Sequence, residues 1–175
     1  MDRPGPPCTT SEYWLKTSPI ASPSSFTPLY LRLHGDGVAS VVLTSLPPKF
    51  LRWHEEPAVG QQIAIPWKSP EKTFGLVMGQ PRDKYGWEPV EIRADDAEDG
   101  FEWVEEGGKE VLVWTGGTAM ARGRFDGWMA CDWVHGHPQL FWLTGMLDPA
   151  KPLPAGCEKV EIVREWLIPR DGSCA

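Results

Sequence analysis

The sequence is short of several things, and each shortage excludes a class of protein. No stretch approaches the ~18 consecutive apolar residues that a membrane-spanning helix needs. No basic stripe is present: 17 Lys and Arg stand against 24 Asp and Glu, for a net charge of −7. A partner whose phosphates must be neutralised is therefore not expected, and neither nucleic acid nor an anionic membrane surface is a natural ligand. The four cysteines, Cys8, Cys131, Cys157 and Cys174, include no Cys-x-x-Cys pair, so a zinc ribbon or a thioredoxin-type centre is excluded. No sustained apolar stripe at i, i+3, i+4 with a capping residue at its start argues for a helix. Gly-x-Ser-x-Gly, Gly-x-Gly-x-x-Gly and P-loop patterns are all missing, so nucleotide, flavin and nicotinamide cofactors are not expected. Tyrosine is scarce as well, with three against ten tryptophans.

What is present points to one β domain. The 175 residues are 41% hydrophobic and 23% charged, too apolar for a disordered chain and too short for two full domains. Residues 1–27 are rich in Pro, Ser and Thr and read as an extended arm, with Tyr13-Trp14-Leu15 as a local docking point. They contain no apolar core of the length a secretion signal requires, which predicts a cytoplasmic protein unless a longer precursor has been trimmed. From Pro28, apolar runs of three to nine residues alternate with Gly, Pro and Asp breaks. The runs are Leu29–His34, Val38–Leu46, Ile63–Ile65, Thr73–Met78, Pro89–Ala94, Phe101–Glu105, Val111–Thr115, Trp128–Trp133, Gln139–Thr144 and Lys159–Leu167. The spacing predicts an all-β fold over residues 28–168, an antiparallel barrel or sandwich, with 169–175 as a tail. Gly35-Asp36-Gly37 and His135-Gly136-His137-Pro138 read as turns.

The charge is uneven. Residues 91–110 hold nine acids and two bases, a surplus equal to the whole net charge. Within them Asp95-Asp96-Ala97-Glu98-Asp99-Gly100 and Glu106 partly imitate a calcium loop. Ala at the third position and a charged Glu102 at the eighth break the pattern, so a solvated acidic loop is expected.

Two constellations are candidates for chemistry. If Trp128–Phe141 is a strand, turn and strand, Asp132 lies near His135 and His137, a workable acid/base group because a carboxylate orients an imidazole. The competing assignment has Asp132 accepting turn amides and both histidines solvated. His135-x-His137 lacks a visible third ligand, so no metal is expected. Glu88, between Trp87 and Pro89, is a candidate general acid if Trp87 desolvates it; otherwise it satisfies a backbone amide. Nine tryptophans fall in the β region. An indole needs a partner for its N–H, so their excess favours a partly open, aromatic-lined pocket over a closed core. Trp67, Trp87, Trp128, Trp133, Trp142 and Met78 are its expected lining.

The stretches Tyr85-Gly86-Trp87-Glu88-Pro89-Val90 and Gly127-Trp128-Met129-Ala130-Cys131-Asp132-Trp133-Val134-His135-Gly136-His137-Pro138-Gln139-Leu140-Phe141 resemble the signature segments of a fungal family. Its members are small, mostly secreted β-rich proteins of unassigned function. The resemblance spans roughly residues 28–167. It implies a β fold and a fungal source, and it places Cys131 and Cys157 on the family's two cysteine positions. Two functions follow as expectations. One is a cofactor-free cyclase or isomerase, pericyclase-like, acting on a hydrophobic small molecule in natural-product biosynthesis, with Asp132, His135, His137 and Glu88 as its polar groups. The other is a non-catalytic binding protein for a glycan, a lipid or a host protein. The direction of the tryptophan rings discriminates: rings converging inward with the Asp/His group favour the enzyme, and rings in an exposed row favour binding.

Overall fold

A computed structural model describes residues 12–26, 28–34, 40–48, 53, 74–79, 85–94, 98–116, 124–134, 136–145, 150 and 152–167. Every element among them is a strand: β1 (Tyr13–Pro19), β2 (Tyr30–Leu33), β3 (Val41–Thr44), β4 (Phe74–Met78), β5 (Trp87–Ala94), β6 (Phe101–Glu106), β7 (Lys109–Trp114), β8 (Trp128–Val134), β9 (His137–Leu143) and β10 (Cys157–Trp166). All pairings are antiparallel. The order β9-β3-β2-β1-β10 is closed by β8, which bonds to β10 on one side and β9 on the other. The result is a six-stranded barrel. Two hairpins are bonded outside it, β4–β5 through β9 and β6–β7 through β10. Of the two architectures expected from the sequence, the barrel is the one adopted. The expected strand at Ile63–Ile65 and the turn at Gly35-Asp36-Gly37 lie outside the described residues.

Alternation explains the core, because successive side chains on a strand face opposite sides. Tyr13 and Leu15 of β1, Leu31 of β2, Val41 and Leu43 of β3, Trp128 and Ala130 of β8, Leu140 and Trp142 of β9, and Val160 and Ile162 of β10 form one buried cluster. Trp114 of β7, Met78 of β4 and Val90 of β5 extend it under the appended hairpins. A barrel this small fills its interior with side chains. The segment read as an arm contains β1, whose seven residues pair in register with Val160–Trp166 of β10. The Pro and Ser content around it outweighed a short but regular alternation, Tyr-Trp-Leu-Lys-Thr, in the sequence reading.

A cation closes one end of this core. The Arg164 side chain is 3% exposed and is held by Glu110, which accepts from its Nε at 2.8 Å and also from Nη2. Its guanidinium lies 4.4 Å from the ring centroids of both Trp103 and Trp166 and 5.8 Å from that of Tyr13. A planar, weakly hydrated guanidinium can stack on two indoles while its edge meets a carboxylate; an ammonium cannot.

The β6–β7 hairpin turns on Gly107-Gly108, between paired Glu106 and Lys109, with φ of 59° and 80°. Two consecutive positive φ values suit the twist of a two-residue hairpin and demand glycine. β6 ends the sheet, and its Glu102, Val104, Glu105 and Glu106 are exposed.

Two measurements check this account. Gly107→Ala or Gly108→Ala is expected to cost about 1–2 kcal/mol, the penalty for a Cβ in the left-handed region, read by urea unfolding of the oxidised protein. Arg164→Lys is expected to cost about 2 kcal/mol by the same assay, because it gives up the stacked fork and a charged hydrogen bond.

Candidate functional site

The outer face of β5, β8 and β9 differs from an ordinary solvent face. Met129 and Cys131 of β8 and Phe141 and Leu143 of β9 point away from the barrel interior yet are buried in a second cluster. Trp87, Leu153 and Cys157 pack against it. Cys131 and Cys157 are directly opposed across β8 and β10, with Cα atoms 4.1 Å apart, and form a disulfide. That separation suits a non-hydrogen-bonded antiparallel pair. The next pair carries the ladder bond, Asp132 N–H to the Gly156 carbonyl at 2.9 Å.

Three aromatic rings form the rim of this cluster. Trp87 lies between Tyr85, at 5.5 Å between centroids, and Trp133, at 5.9 Å; Trp133 continues to Phe141 at 5.2 Å. The rings are inclined to one another by 38° to 60°. Tyr85 is 58% exposed and Trp133 38%. Among the described residues the other exposed large apolar side chains are Ile20, Leu46 and Val104. Trp133 is steered by its indole N–H, which donates to the Ala155 carbonyl at 3.1 Å. A register irregularity in β8 between Cys131 and Val134 precedes the turn into β9, and such a bulge re-aims the side chains beside it.

The residues proposed from sequence are divided by this geometry. Trp87 and Trp133 meet on the rim. Trp128, Trp142 and Met78 are in the barrel core. The Trp128 N–H donates to the Leu112 carbonyl at 2.6 Å and that of Trp142 to the Gly79 carbonyl at 3.3 Å. Glycine at 79 permits the close approach to β5: its N–H donates to the Pro89 carbonyl at 2.9 Å, and a Cβ there would stand 2.6 Å from that oxygen. Glu88 is 4% exposed and faces the same side as Trp142, its direct partner across β5 and β9. Asp132 is exposed, and so is His137, whose ring centroid is 6.5 Å from that of His34. Asp132 and His137 are thus at the solvent side and Glu88 is inside, so these three candidates do not share one site. His135 and Trp67 lie outside the described residues. Among the described residues no group of three or more His, Cys, Asp and Glu is placed to hold a metal. Glu98, from the calcium-like segment, accepts the Met78 N–H at 2.5 Å.

The sequence reading missed Tyr85 and Phe141 as site residues. Tyr85 and Trp87 are two apart, a spacing that puts both on one face of an extended chain; that signal was available. Phe141 required the β8–β9 pairing, and the Ala155 carbonyl required the fold.

The profile of a family described as a domain of unknown function, DUF7907, matches residues 10–166. The chain belongs to that family. The match begins before Tyr13 and ends at Trp166, so it takes in β1 together with the rest of the barrel. No curated protein and no solved structure matches the chain.

The two aromatic environments predict different mutational costs. Trp142→Ala is expected to destabilise by about 3–5 kcal/mol, as for a buried aromatic. Tyr85→Ala is expected to stay within about 0.5 kcal/mol, and Trp133→Phe to cost about 1 kcal/mol for one lost hydrogen bond. Thermal or urea unfolding of the three variants checks the ranking.

Proposed function

We propose that this protein is a non-catalytic binding module that takes a neutral saccharide on the Tyr85–Trp87–Trp133 rim, and that it works in an oxidising, extracellular setting. The observation that carries the reading is a continuous row of three rings, with Tyr85 and Trp133 exposed and Trp87 half-buried between them. A sugar ring has an apolar C–H face and a hydroxyl edge. An exposed Trp or Tyr matches it with an apolar body and a polar tip. The size of the row argues against the two other ligand classes. A protein partner needs roughly 1,000 Å² or more of complementary surface, far beyond two exposed rings. A lipid needs an apolar cavity, whereas the barrel interior carries fully buried Trp53, Trp142, Leu31, Leu43 and Leu140. The acidic balance of the chain disfavours an anionic saccharide.

The disulfide supports the extracellular setting, because cross-links of this kind persist where thiols are not kept reduced. The reading departs here from the cytoplasmic setting anticipated from residues 1–27.

One observation favours the second reading, a cofactor-free cyclase or isomerase for a hydrophobic substrate: Glu88, a buried carboxyl group beside Trp142. Asp132 and His137, both exposed, do not join it.

Titration calorimetry and tryptophan fluorescence with neutral oligosaccharides of glucose, N-acetylglucosamine, mannose and xylose test the proposal. At least one series is expected to bind. Trp133→Ala is expected to weaken it by about tenfold or more, equivalent to ~1.4 kcal/mol, with Glu88→Gln unchanged. Silence across the whole panel rejects saccharide binding. Turnover of a terpenoid or polyketide intermediate that Glu88→Gln abolishes transfers the function to the enzyme reading.

A further inference from the structure

The Trp133 side of the rim is anchored by one short segment. Residues 153–157 approach β8 from the β10 side and attach at three successive residues. Cys157 is bonded to Cys131, the Gly156 carbonyl accepts from Asp132 N–H at 2.9 Å, and the Ala155 carbonyl accepts from Trp133 Nε1–H at 3.1 Å. Leu153 packs on the cluster beneath, and Cys157 N–H closes the turn on the Pro154 carbonyl at 3.1 Å. One of the three attachments to β8 is covalent and reducible. Cys131 is fully buried, while Cys157 is half-buried at the margin of the cluster. Cys157 is therefore the sulfur that an external thiol reaches first.

We propose that the Cys131–Cys157 bond is a thiol-reversible latch that fixes Trp133 in its binding orientation, so that reduction disables the rim while the barrel stays closed. The consequence for ligand rests on the saccharide reading above; the structural change does not. A thiolate of a small dithiol attacks Sγ of Cys157 and forms a mixed disulfide. The Cys131 sulfur leaves as a thiolate and takes up a proton. The second thiolate of the dithiol then displaces Cys157, which is protonated in turn. Two electrons and two protons pass to the protein, and the dithiol becomes a cyclic disulfide.

Two free thiols cannot stay at bonding distance. On the β8 side Cys131 is walled in by Met129, Phe141 and Leu143. On the other side Ala155 and Gly156 are exposed, so the 153–157 segment is the part with room to move. Its movement takes away the acceptor of the Trp133 indole. The barrel has other closures at this seam. β8 still pairs with β10 at Trp128, Met129 and Ala130 and keeps its ladder with β9. The inner faces of Trp128 and Ala130 remain in a core that contains neither sulfur.

Amide hydrogen exchange of the full chain, with and without dithiothreitol under native conditions, tests the latch. Reduction is expected to speed exchange by about tenfold or more at residues 153–157 and at the Asp132 amide, with the β1–β10 ladder unchanged. Affinity for the saccharide found above is expected to fall by a similar factor and to return on reoxidation. Cys131→Ser with Cys157→Ser is expected to reproduce the reduced state; if that variant does not fold, the reduced natural chain decides. Unchanged exchange at 153–157 overturns the latch. So does acceleration spreading through β1 and β3, which would make the bond a requirement of the whole fold. Absence of saccharide binding by the oxidised protein rejects the saccharide reading alone, because the exchange result stands without it.

Discussion

The molecule depends on both edges of β8 being paired. Nine other strands can form an extended antiparallel sheet without it, but that sheet has no closed interior. β8 converts the run β9-β3-β2-β1-β10 into a barrel by bonding to its two ends, and its ladder to β10 is only four pairs long. The seam is backed on both faces. Inside, Trp128 and Ala130 lock into the core. Outside, the disulfide joins Cys131 to Cys157, residues 26 apart in sequence.

Tryptophan serves two purposes in this architecture. On the inner face it is a large filler that also ties elements together. Trp128 reaches the carbonyl of Leu112 on β7, Trp142 that of Gly79 after β4, and Trp114 that of Asp99 before β6. Each indole thus attaches an appended hairpin, or the approach to one, to the sheet it packs on. On the outer face Trp87 and Trp133 cover a small sulfur-rich cluster and remain half in solvent. The same residue type is mortar on one side and contact surface on the other, and the strand period assigns each indole its side.

The strands were legible wherever apolar alternation met a clear break. Phe101–Glu106, Trp128–Val134 and His137–Leu143 match the sequence reading to within a residue or two at their ends. β1 was hidden because composition was given more weight than pattern around Tyr13. The site was less legible, for a physical reason. An indole N–H in a closed core needs an acceptor, but that acceptor need not be a side chain or a ligand. Backbone carbonyls supply it for Trp114, Trp128 and Trp142, and no sequence feature announces such an acceptor. Asp132 and His137 are exposed while Glu88 is buried against Trp142, and no sequence feature announces that division between solvent and core.

The acidic surplus of residues 91–110 has a consequence at the margin of the sheet. β6 is a terminal strand, and an open strand edge is a template on which another chain can hydrogen-bond. The exposed Glu102, Glu105 and Glu106 mean that a second copy approaching this edge brings the same charges with it. Their repulsion is felt over about 10 Å at 0.1 M salt, roughly two strand spacings. The hairpin that extends the core is therefore also a barrier against growth of the sheet between molecules at this edge.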